Sequence, residues 1–84
     1  MVHNDIPRNY TGTLVKLAEE IGDLKYDALA EFLDLLAQKI KTDGDKDAAR
    51  GRVKLAKKLH DCSEGLEECK VSIKGAWGIC LPFM

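Results

Sequence analysis

The chain has 84 residues, 45% of them hydrophobic and 32% charged, and a formal net charge of −1. That balance describes one small folded domain rather than a disordered chain. It also excludes a global electrostatic pull towards nucleic acid or an anionic membrane. With no apolar run of about 18 residues, no membrane span is expected. MVHNDIPRNY lacks the basic region and apolar stretch of a secretory signal. Three cysteines make an odd and poor disulfide framework, so a cytoplasmic location is expected.

Residues 1–9 show no periodicity and read as a flexible N-terminal arm, leaving 10–84 as one domain. Alanine, leucine, lysine and glutamate outnumber β-branched residues, which favours helix. A first helix is expected from Thr11 or Thr13, either of which can cap it. Leu14, Leu17, Ala18 and Ile21 share one of its faces, Gly22 stops it, and Asp23 can cap the next helix. The second helix is expected over 24–41, with Leu29, Phe32, Leu33, Leu36 and Ile40 as its stripe. The segment TDGD is expected to end it at Gly44, with Asp45 capping a third helix from Lys46.

Further on, Asp61 and Glu64 have capping-box spacing, and Gly65 weakens a helix by about 1 kcal/mol. A kink or break is therefore expected near 61–65. The apolar rhythm nevertheless continues through Leu55, Leu59, Cys62, Leu66, Cys69, Ile73, Ala76 and Cys80, spaced 4, 3, 4, 3, 4, 3, 4. The expected fold is thus all-α, a small antiparallel bundle of three to four helices. Its expected core is Leu17, Ile21, Leu29, Phe32, Leu33, Leu36, Ile40, Val53, Leu59, Leu66, Ile73 and Trp77.

All three cysteines lie on that seam. Cys62 and Cys69 stand about 10 Å apart along a helix, too far for a disulfide within one straight rod. They read as small hydrophobes in a core. Alternatively they face a second chain, where a two-fold axis could bring a pair together. His60 beside Cys62 is the one arrangement that suggests thiol chemistry, and His60, Glu64 and Glu68 share a face that could hold a metal weakly.

The charges are segregated. Glu20, Asp23, Asp27, Glu31 and Asp34 form an acidic stripe. Lys46, Arg50, Lys54, Lys57 and Lys58 form a basic one, read as a partner-docking surface. A helix-turn-helix over Leu17–Leu33 is disfavoured, because its second helix would set Asp27, Glu31 and Asp34 against phosphate. Trp77 among small residues and Phe83 in the apolar end LPFM complete the expected partner-binding set, with Leu81, Phe83 and Met84 expected to dock. No phosphate loop, metalloprotease pair or nucleophile elbow is present. No enzyme activity and no cofactor are expected. The sequence points to a helical interaction module, homodimeric or bound to another protein. The alternatives are a nucleic-acid-associated regulator using the basic third helix, and a thiol redox or metal protein.

Overall fold

The computed structural model describes residues 3–83. Among them are three α-helices, α1 (Leu14–Gly22), α2 (Tyr26–Ala49) and α3 (Val53–Cys80), then a 3-10 turn at Leu81–Phe83 and no strand. Helix α1 begins at Thr13, whose hydroxyl accepts the Lys16 N–H at 3.1 Å. It ends at Gly22. Lys25, not Asp23, precedes α2, and it contributes no side-chain cap. Ahead of α1 the chain is non-helical. Tyr10 donates its N–H to the Pro7 carbonyl (3.1 Å) and its hydroxyl to Glu20 (3.1 Å).

Two expected boundaries are corrected. Helix α2 does not end at Gly44 but runs on to Ala49, and the true stop is Gly51. Gly51 has φ +81°, the left-handed region that glycine enters without strain. There the Gly51 N–H returns to Ala48 and the Arg52 N–H to Asp47, satisfying the last carbonyls of α2 in a Schellman motif. Gly44 is helical because it fills a different need. A Cβ there would fall 2.6 Å from the His60 ring and 3.3 Å from the Leu59 Cβ. Packing against α3 outweighs a propensity penalty of about 1 kcal/mol. Second, α3 is unbroken through 61–65. Asp61 serves as an acceptor for Lys57 at 2.8 Å rather than as a cap.

The two long helices lie side by side in opposite directions. Ser63 meets Ala37, Lys70 meets Asp34 and His60 meets Asp45, so one index falls as the other rises. The seam side of α2 carries Ala30, Leu33, Ala37, Ile40, Gly44 and Asp47, all buried or half-buried, and Ala28, Leu29, Phe32, Asp34, Leu36 and Asp43 beside them are half-buried too. The seam side of α3 carries Ala56, Leu59, Ser63, Leu66, Lys70, Ile73, Trp77 and Cys80. Both series step by 3 and 4, the period of a left-handed helix pair. The closest layers are small: Ala30, Ala37, Gly44, Ala56 and Ser63 are the buried residues. Ser63 Oγ donates to the Ala37 carbonyl across the seam at 2.8 Å, which only closely approaching backbones permit.

This corrects the expected core. Among the described residues no large side chain is fully buried. The expected leucines, isoleucines, Phe32 and Trp77 are half-buried, and Val53 is 70% exposed. The radius of gyration is 15.2 Å, against about 12 Å for a compact chain of this length. The molecule measures 50 × 29 × 14 Å, its thinnest dimension little more than the about 10–12 Å of one helix.

Candidate interaction surface

The hairpin seam and the seam read from the sequence share Leu59, Leu66, Ile73 and Cys80 but differ at every other position. Facing α2 are Ala56, Ser63, Lys70 and Trp77. Leu55, Cys62, Cys69 and Ala76 sit one residue earlier, each displaced about 100° around the helix. Leu55 is 46% exposed, and Cys62 and Cys69 are exposed free thiols. So these two cysteines are not core residues, and only Cys80 is partly covered. Sequence rhythm missed the distinction because α3 carries two overlapping stripes of the same period. The more apolar stripe is the one that faces away from α2.

The two flanks of the hairpin therefore differ. On one, Lys70 Nζ sits 3.2 Å from Asp34 and 2.6 Å from Glu67. The Lys70 ammonium is the first cause that lowers the Asp34 carboxyl below its ordinary range, and Glu67 and Asp34 in turn raise Lys70. Further along, Asp45 accepts from Lys41 at 3.3 Å and pairs with His60 Nε2 at 2.9 Å, which together lower its pKa. On the other flank stand Leu29, Phe32 and Leu36 of α2 with Leu55, Cys62, Cys69 and Ala76 of α3. In an antiparallel helix pair, positions flanking the seam on one side of each helix line one common face.

The basic residues do not form a stripe along one helix. Lys46 lies in the last turn of α2, Arg50 caps it, and Lys54, Lys57 and Lys58 start α3. They gather around the hairpin tip. Lys57 is held by Asp61, which raises its pKa, and Arg52 reaches Asp47 at 3.4 Å. The wider stretch from Lys39 to Asp61 holds eight basic residues against four acidic ones. The rest of the chain holds five against ten. The molecule is thus electrically polar along its length.

At the far end, Trp77 and Cys80 face the connection Gly22–Tyr26 across an open cleft of about 420 Å³. Phe83 does not dock on the described residues, being 87% exposed, and Leu81 is exposed beside it. Met84 lies outside the described residues. His60 points towards Asp45 on the polar flank, while Cys62 lies on the apolar one. The residues suggested for thiol chemistry are therefore not brought together. His60, Glu64 and Glu68 do not converge either, and no group of three or more His, Cys, Asp or Glu among the described residues could hold a metal. No described helix is long and apolar enough to cross a membrane. Compared with protein-family models, curated proteins and solved structures, the chain matches none.

Proposed function

We propose that the chain is a non-enzymatic helical interaction module that associates with a second copy of itself through the apolar flank of the α2–α3 hairpin. The observation that carries this reading is the placement of side chains by size. Alanine, glycine and serine form the buried layers of the hairpin, Leu33, Ile40, Leu59, Leu66 and Ile73 are half-buried between them, and Leu29, Phe32, Leu36, Leu55, Cys62 and Cys69 are left half-covered or open on one flank. A domain of this size gains little from its own core. A second copy laid on that flank supplies the missing burial, and a specific interface needs about 800 Å² on each partner. The flank runs along α3, whose 28 residues span about 42 Å.

Sedimentation equilibrium of the purified chain, with and without reductant, tests the reading. A reductant-independent dimer that Leu55→Glu dissociates without loss of helix content supports it. A monomer at all concentrations overturns it. The hairpin tip supports a second reading, docking of an acidic partner or nucleic acid, because eight of the thirteen basic residues lie between Lys39 and Asp61. That reading requires binding that weakens steeply with salt and vanishes when Lys54, Lys57 and Lys58 are changed together to glutamate.

A further inference from the structure

If the chain self-associates as proposed, its own charge and shape also select the orientation. We infer that two copies pair antiparallel, with a two-fold axis passing beside Gly65 and Leu66 at the middle of α3, so that Cys62 of each copy faces Cys69 of the other.

Three observations converge on this arrangement. The first is charge. The tip stretch carries an excess of four positive charges and the remainder an excess of five negative ones. A parallel pair would stack tip on tip and acid on acid. An antiparallel pair lays each basic tip against the other copy's Glu19, Glu20, Asp23 and Asp27.

The second is symmetry. An isologous dimer needs a self-complementary patch centred on its axis. The exposed flank of α3 has its midpoint at Gly65–Leu66, with Cys62 and Cys69 evenly placed on either side.

The third is Gly65. It lies inside an unbroken helix, where glycine costs about 1 kcal/mol relative to alanine. Nothing in the chain stands within 4 Å of where its Cβ would be, so no contact in the hairpin requires a glycine there. At the axis, two α3 backbones come closest, and Gly65 between two thiols lets them do so, as Ala37 and Ser63 do inside the hairpin.

The test uses two full-length chains that both carry Cys80→Ser. One also carries Cys69→Ser and keeps Cys62; the other carries Cys62→Ser and keeps Cys69. They are treated with a short-armed dimaleimide, alone and mixed, while sedimentation equilibrium follows association of each. The expected result is that the mixture cross-links at least about fivefold more than either chain alone, since only a facing pair holds its thiols at high effective concentration. Raising salt from about 50 to about 500 mM is expected to weaken the dimer by screening the end-to-end attraction.

Preferential Cys62–Cys62 or Cys69–Cys69 cross-linking, or a dimer strengthened by salt, overturns the antiparallel register while self-association stands. A dimer that sediments normally but shows no preference for the mixed pair does the same. Loss of the dimer altogether overturns the functional reading as well. Cys62 and Cys69 are exposed, so serine at either leaves the hairpin seam intact; Cys80 is half-buried in that seam, so the Cys80→Ser chain alone is the reference for helix content and association.

Discussion

The two flanks of the α2–α3 hairpin belong to the same two helices and are finished in opposite ways. Along one, Asp34, Lys41, Asp45, His60, Glu67 and Lys70 reach across or along the seam and satisfy one another. Along the other, Leu29, Leu36, Leu55, Cys62 and Cys69 make no polar link and present apolar surface, interrupted towards the hairpin tip by the Lys39–Asp43 pair at 2.6 Å. Exposed ion pairs add little stability but fix which way the helices face. Exposed apolar surface of this extent on a small chain is instead a place for something to bind. The polar flank thus bears on how the hairpin is arranged, and the apolar flank is the face proposed to meet a second copy. Between them the small-residue seam brings the helices close.

The sharpest way to break that division is to attack the seam. Ser63→Leu forces a branched side chain between closely spaced backbones and removes the donor to Ala37. It is expected to cost about 3 kcal/mol of unfolding free energy, seen as an earlier urea midpoint at fixed protein concentration. Next comes the open flank. Leu55→Glu leaves the hairpin stable but weakens association by about 2 kcal/mol, close to a thirtyfold rise in dissociation constant by sedimentation equilibrium. An equal effect on unfolding of the isolated chain would show that Leu55 belongs to the fold instead.

Gly44→Ala separates local preference from packing. Helix propensity alone predicts a gain of about 1 kcal/mol, and the His60 ring, 2.6 Å from the added Cβ, is expected to cancel it. Made in a His60→Ala background, the same change is expected to recover about 0.5 kcal/mol or more, which a double-mutant cycle reads directly. On the polar flank, Lys70→Met keeps the stem packed in the seam and removes only the charge. It is expected to shift the denaturation midpoint by the equivalent of less than about 1 kcal/mol, well below the effect of Ser63→Leu.

Acid gives a slighter effect again. Asp34, Asp43, Asp45 and Asp61 are all held below the ordinary carboxyl value of 3.8, chiefly by Lys70, Lys39, Lys41 and Lys57 respectively. Their contribution is present above that range and is lost as pH falls through the lowered values. Thermal scans should therefore be flat near neutrality and fall only below about pH 4.

Much of this was legible in the residues. The Thr13 cap, the Gly22 stop and the helical character of Leu14–Cys80 follow from hydroxyl placement and 3.6-residue spacing. Gly44 and Gly65 misled, because a glycine in a helix reads as an interruption until its neighbour is known. Gly44 is occupied by His60, a residue from the other helix, and no local rule contains that information. Gly51 stood unread seven residues later, its role hidden among charges that looked like the body of a helix. The core was misjudged for a related reason. Large apolar residues are ordinarily inside, so Val53 and the thiols were assigned there, whereas close helix approach reserves the interior for Ala37, Ser63 and their like. Residues chosen for a partner by charge, Lys46 to Lys58, converge in space, but around a turn rather than along a helix.

The Gly51 turn also bears on how the chain reaches this shape. Only Arg50–Arg52 separate the two long helices, so the ends to be joined are close from the start and closing them costs little chain entropy. The layer nearest the turn, Gly44 against Ala56, is expected to form first, with each later layer extending from the one before as teeth engage in a zipper. Structures made of such local contacts fold in microseconds to milliseconds. Trp77 sits at the far end, against the connection that leads back to α1. On that order the only tryptophan in the chain marks the last layer to close, and stopped-flow fluorescence is expected to time the end of folding rather than the beginning.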